Sequence, residues 1–372
     1  MNYSFREFTI NDLVNLIDSE SIDLNPEYQR NYIWSPKDQN YLVDTILNGY
    51  PLPSFFVYID KKGKYEMVDG QQRSKTIYRF IKGKISSSKE TGSKFYKDTN
   101  NTQLLSYKLS FILLQNLDSR DNLRNFYVLI NKKGVHLNIP EVNKSEHFDK
   151  LFMKLANEVL EYQNLIELDL FTEASIKRMN DRAYIEELLG YLLLGIKEKK
   201  KVVESIYKED IDENEYQDLK SSFYATIDKI AILNELKPIN KTRYKQKNDF
   251  YTLFSFINEN PEIDIETLKY QYKILLLLDG VDKFGKQFIR PTNEDSKSLK
   301  EYANNCVSQS NSSQARENRL IFFNSVLKNR NIEENEILVD VLNYLSEVFG
   351  EDKIEIKEIG GYNILDVDQI YF

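Results

Sequence analysis

The sequence predicts an α+β N-terminal domain over residues 1–140, followed by a mainly α-helical domain over residues 141–372 with an acidic C-terminal end. Three observations carry that expectation. β-Rich runs (SFFVYID, KYEMV and LSFILLQNL) alternate with helical patterns in the first third of the chain. Beyond Glu141, long helical patterns such as RAYIEELLGYLLLGI and NDFYTLFSFI dominate until about Leu345. The 372 residues are too many for one ordinary domain, and 41% hydrophobic side chains suffice for packed cores.

Along the chain, residues 10–17 (INDLVNLI) place apolar groups at helical spacing, with Asn11 as the expected cap. Pro26 and mixed polarity in SIDLNPEYQRNYIW argue against a helix there. Ser35 followed by Pro36 supplies an N-cap and a first-turn proline; Tyr41, Leu42, Thr45 and Ile46 form the expected buried stripe, and Gly49 the stop. SFFVYID reads as a strand, KKGK as a turn, and KYEMV as a second strand closed by Asp69 and Gly70. QQRSKTIYRFI then sets Ile77, Phe80 and Ile81 on one helical face before Gly83. Residues 86–101 read as a mobile loop, and LSFILLQNL as a third strand. Far downstream, the polar run SQSNSSQARENR leads into a helix near Ala315. The tail from Glu333 holds 11 acidic and 2 basic residues and reads as a solvated or partner-facing edge with strand-like pieces.

Composition narrows the chemistry. A single cysteine, Cys306, excludes an internal disulfide and a Cys-rich metal site, and reads as a small buried hydrophobe. No run approaches the roughly 18 apolar residues of a membrane-spanning helix, and the polar N-terminus is not a secretory signal, so a cytoplasmic location is expected. The net charge of −8 is unevenly spread: residues 1–150 carry 21 basic and 18 acidic side chains, the remainder 29 and 40. Residues 61–97 alone hold 11 basic and 3 acidic groups, a local surface suited to phosphates because screening over about 8–10 Å lets near charges dominate. An ordinary solvated lysine face is the plain alternative.

The segment DGQQR, residues 69–73, is the predicted functional centre. A strand ends, a glycine permits a tight turn, and a helix opens with unpaired amides that favour an anion. Arg73, Lys75 and Arg79 place positive charge in the first helical turns, where the helix dipole disfavours it and a phosphate would compensate. Asp69 is suited to hold a metal ion, orient Arg73 or act as a base; Gln71 and Gln72 are suited to bond a base edge or position water. The competing reading is structural, with Asp69 capping the helix and Arg73 paired to it. Upstream, Asn25 to Arg30 (NPEYQR) and Trp34 offer a second Gln-Arg pair near the same sheet, with Arg30 as a bidentate fork and Tyr28 or Trp34 as a stacking face. Downstream, Lys132 and Lys133 form a basic turn, and His136 and His147, the only histidines, are a weak metal signal without a carboxylate cluster. GxxxxGK[ST], GxGxxG, HExxH and GxSxG motifs are absent.

The succession PEYQRNYIW, LNGYPLPSFFVY and YEMVDGQQRSKTIYRFIKG resembles the GmrS-type N-terminal domain of the ParB/sulfiredoxin-like superfamily, found in modification-dependent restriction and anti-phage systems. The likeness continues through FYVLINKKGVHLNIPEVNKSEHF and RMNDRAYIEELLGYLLL, covering roughly residues 1–200. It implies a ParB-like α+β fold that binds and often hydrolyses nucleoside triphosphates, with Mg²⁺ as a candidate companion, in concert with an HNH nuclease. Asp69 and Arg73 are the catalytic candidates. Gly70, Gln71, Gln72, Ser74, Tyr28, Gln29, Arg30 and Trp34 form the expected nucleotide pocket. Lys75, Arg79, Lys82, Lys84, Lys132 and Lys133 are the expected DNA contacts; no protein-only metal site is expected. Fused relatives place the nuclease after the helical region, and this chain has no histidine beyond His147, so cleavage is expected from a separate subunit. The alternatives are a non-catalytic DNA-binding module and a protein-interaction module with an acidic docking region.

Overall fold

Alternation of apolar residues builds a sheet with two buried faces, and the computed structural model describes it within residues 2–29, 32–116, 120–131, 139–332 and 334–370. In chain order the first elements are β1 (Asn2–Thr9), α1 (Ile10–Asp18), β2 (Ile22–Asp23), α2 (Pro36–Leu47), β3 (Phe55–Ile59) and β4 (Tyr65–Asp69). They continue as α3 (Gln71–Ile81), α4 (Asn101–Leu105), β5 (Lys108–Gln115), α5 (Arg120–Asn131) and α6 (Ile139–His147). The sheet order is β1-β5-β3-β4-β2: β1 and β5 are antiparallel, β5 and β3 parallel, β3 and β4 a hairpin, and β4 and β2 parallel.

Phe55, Val57, Met67, Leu109, Phe111 and Leu113 point to one face, where α1, α2 and α3 bury Leu13, Val43, Ile46, Ile77 and Phe80 against them. Val68 and Leu114 point to the other, under Leu123 and Tyr127 of α5. Thr9, not Asn11, caps α1: its hydroxyl accepts the Asp12 amide at 3.1 Å, and the Asp12 carboxylate accepts the Thr9 amide at 2.8 Å. On α2, Val43 replaces Tyr41 and Thr45 in the expected stripe, and Tyr41 is exposed. Two strands, β1 and β2, have no counterpart in the sequence pattern. Phe8 is the one buried side chain of β1, so no apolar alternation betrays it, and β2 is only two residues long.

The chain divides into two compact units, Met1–Phe148 with Glu173–Asn180, and Asp149–Thr172 with Asp181–Phe372. The elements after α6 are α7 (Leu151–Leu160), α8 (Gln163–Glu167), α9 (Glu173–Lys177), α10 (Asn180–Leu194), α11 (Lys199–Glu209) and α12 (Glu213–Leu236). Then follow α13 (Lys247–Glu259), α14 (Ile265–Leu278), α15 (Lys297–Val307), α16 (Ser313–Leu327), α17 (Glu336–Phe349), β6 (Ile356–Ile359) and β7 (Tyr362–Leu365). An α+β unit and a mainly helical unit are therefore present, as expected. The acidic tail departs from the simple edge expected of it, because Tyr362, Ile364, Leu365, Val367 and Ile370 are buried in the helical unit's core.

Candidate functional site

The turn at residues 69–73 joins β4 to α3. Gly70 has φ 111°, and a Cβ there would lie 2.4 Å from Phe55 Cδ1, so conformation and space both demand glycine. No side chain caps α3, so Asp69 does not fill the capping role that the structural reading offered it. The other half of that reading is present: Arg73 donates to Asp69 Oδ2 at 2.8 Å. The same guanidinium donates to the Pro53 carbonyl, and to the Ser54 carbonyl at 3.2 Å, and lies 4.5 Å over the Phe55 ring. Arg73 is 11% exposed and Asp69 37%, so the carboxylate is the member of the pair that reaches solvent. Burial pulls the Arg73 pKa down and the neighbouring Asp69 charge opposes that shift.

The glutamines stitch backbone. The Gln72 side-chain oxygen accepts the amides of Ile33 at 2.9 Å and Trp34 at 3.2 Å, and its amide donates to Gln71 Oε1 at 3.0 Å. Gln29 donates to the carbonyls of Met67 and, at 3.2 Å, Val68. Tyr28 donates to Glu66 Oε1 at 2.8 Å, and burial followed by the Glu66 charge pushes its phenol far up. Trp34 is half-buried against the core of the first face. The fully buried Ser74 hydroxyl has no hydrogen-bond partner among the described residues. Together these bonds fasten Tyr28 and Gln29 to β4, and the Ile33 and Trp34 backbone to α3; Arg30 itself lies outside the described residues.

Two participants, Tyr32 and Thr76, are not among the residues expected from the sequence. Tyr32 bonds Thr76 Oγ1 at 2.7 Å, and Lys75 and Arg79 sit 5.9 and 5.7 Å from its ring centroid. Asn25 accepts a bond from Lys75, whose pKa burial lowers. A tyrosine two residues past a Gln-Arg pair was the available signal. Lys82, Arg79 and Lys84 are all exposed, and Lys82 pairs with Asp18 at 3.0 Å; Lys132 and Lys133 lie outside the described residues. His136 does too, and His147 has Glu146 at 4.0 Å. Glu141, fully buried on α6, meets Arg178 at 3.2 Å. No group of three metal-ligating side chains occurs among the described residues. A cleft of about 430 Å³ lies elsewhere in this unit, between Ile46, Leu47, Lys94, Asp98, Gln103 and Tyr107, and none of the motif residues lines it.

The fold and turn define an α+β domain whose strand–glycine–helix junction is braced by an Asp–Arg pair. Residues 10–108 match the family model described as GmrSD restriction endonuclease, N-terminal domain, so the first unit carries a domain of that type. The match runs from the start of α1 to the start of β5 and includes both Gln-Arg segments. No curated protein and no solved structure matches the chain. No helix among the described residues is long and apolar enough to cross a membrane.

Proposed function

We propose that this chain is a nucleotide-binding, NTP-hydrolysing regulatory subunit of a bacterial restriction or anti-phage system that acts with a separate nuclease. The observation that carries this reading is the family match across the 69–73 turn, to a model named for a restriction endonuclease. Nucleotide phosphates would meet the start of α3, whose first amides no side chain caps. Asp69 supplies one carboxylate, a donor set that fits a Mg²⁺ ion completed by phosphate oxygens and water rather than a protein-only cage. Arg73, spent on Asp69 and the 53–54 carbonyls, acts as the brace that aims the carboxylate. Exposed Arg79 and Lys84 are available to DNA phosphates.

Phosphate release from ATP and GTP, with Mg²⁺ and with or without DNA, tests this reading. Turnover by the wild type that Asp69→Ala abolishes while circular dichroism stays native is the expected result. Absence of both turnover and calorimetric NTP binding in the wild type removes the proposal. The inward bonding of Arg73, Gln29 and Gln72 favours a second reading, a non-catalytic DNA-binding or protein-interaction module in which the motif supports the fold. For DNA binding, that alternative predicts no response to NTP and an affinity that falls steeply with salt.

A further inference from the structure

Between α14 and α15 the chain forms a short hairpin over residues 280–288. Its base is closed by the bridge between Val281 and Gln287 and by the Phe288 amide, which donates to the Gly280 carbonyl at 3.1 Å. Phe288 anchors it in the core, with the rings of Tyr344 and Phe349 each 5.9 Å away. The tip is fixed separately. The Asp282 carboxylate accepts the amides of Phe284 and Lys286, both at 2.9 Å, and the Asp282 amide donates to the Lys286 carbonyl at 2.8 Å. Gly285, at φ 75°, completes the turn by donating to the Asp282 carbonyl at 2.9 Å.

This scaffold presents Phe284, at 75% the most exposed large hydrophobic side chain among the described residues. Lys283 and Lys286 flank it, both exposed, and the Lys283 ammonium lies 5.3 Å from the ring centroid. The single acid of the tip, Asp282, is buried at 8% exposure with Arg290 3.7 Å away, so the outer surface is cationic around an aromatic ring. That surface stands out on residues 151–372, which hold 29 basic and 40 acidic side chains and so form the acidic part of a chain of net charge −8. A connecting turn has no need of a preorganised ring in water, whereas an aromatic face between two ammonium groups matches a nucleobase between two phosphates.

We propose that the 280–288 hairpin is a nucleic-acid finger, in which Phe284 stacks on an unstacked base and Lys283 and Lys286 neutralise the adjoining phosphates. It draws on different residues from the nucleotide reading, so either can fail alone. The test is fluorescence anisotropy of the full chain with labelled oligothymidylate, oligouridylate and a blunt duplex, and cosedimentation with phosphatidylserine vesicles. Single-strand affinity should fall about tenfold or more in Phe284→Ala and survive in Phe284→Trp. The fluorescence that Phe284→Trp adds to that of Trp34 should be quenched on titration. Lys283→Gln with Lys286→Gln should flatten the log–log salt slope by about 1.4, roughly 0.7 per phosphate contact. Preference between the two oligomers tells DNA from RNA. Unchanged affinity in Phe284→Ala, no binding by the wild type, or a Phe284-dependent association with vesicles alone overturns the proposal.

Discussion

Gly70 tolerates no side chain, because a methyl group there meets a left-handed backbone and the Phe55 ring at once. Gly70→Ala should therefore lower stability by about 2–4 kcal/mol, combining left-handed strain with overpacking, read as a shift of the urea midpoint at constant slope. Arg73 is equally particular, for a planar fork serves three acceptors that a single ammonium cannot reach together. Arg73→Lys should cost about 1 kcal/mol in the same measurement, by giving up hydrogen bonds to the Pro53 and Ser54 carbonyls. At this scale the motif was legible as a special turn, since a glycine between strand and helix is visible in the string. The direction of each side chain was not. Gln29 and Gln72 have the same donors and acceptors whether they bond a base edge or a main chain, and only tertiary proximity chooses.

Elements show the same division. Ser35 and Pro36 announced the start of α2, and the structure places the cap there, with the Ser35 hydroxyl accepting the Asp38 amide at 3.2 Å. Thr9, and not Asn11, caps α1, and the sequence hides this because Thr9 also ends β1, a strand whose exposed Tyr3 and Phe5 leave no alternating signature. The helical period of α2 is readable in the sequence, but the arc that faces the sheet takes in Val43 and leaves Tyr41 exposed. Two measurements follow. Gln72→Leu releases the Ile33 and Trp34 amides, so acrylamide quenching of Trp34, the only tryptophan, should rise while far-UV dichroism is preserved. Thr9→Ala should cost about 1 kcal/mol through loss of the cap. The Thr9 amide, then its hydroxyl, hold the Asp12 carboxyl below its ordinary range. A depressed carboxyl stabilises the fold above its unfolded pKa, near 4, and loses that contribution as pH falls through the folded value, so Thr9→Ala should also soften the acid limb of the stability profile.

Across the molecule, the helical unit buries charge as well as hydrocarbon. Asp249, with no exposure, receives bonds from Arg243 at 2.9 Å and Tyr302 at 2.8 Å, and from the Cys306 thiol at 3.6 Å. Asp249→Ala should destabilise this unit by about 3–5 kcal/mol, since it strands a buried guanidinium. Burial, then the Asp249 charge, push the Cys306 thiol up to about 12. It should therefore resist dithionitrobenzoate in native protein at pH 8 and react at once in guanidinium. A thiol raised in the folded state contributes stability that is complete below its unfolded pKa and is lost as pH climbs through the folded value, so alkaline destabilisation should begin above about pH 8.5, and the part of it below about pH 10, where tyrosines start to titrate, should be absent in Cys306→Ala. The two classes of architecture were readable from periodicity because strands and helices differ in period. The basic run at 61–97 was readable as charge, yet Arg73 and Lys82 are paired with acids of their own chain, which no linear count reveals.

The return of Glu173–Asn180 to the first unit has a consequence for heredity and for engineering alike. A gene fragment ending at codon 148 would encode every strand of the sheet and yet omit Arg178, leaving the sealed carboxylate of Glu141 without that counter-charge. Recombination that transplants this module must carry two stretches of coding sequence, and a single crossover after α6 should yield a polypeptide that melts early or aggregates.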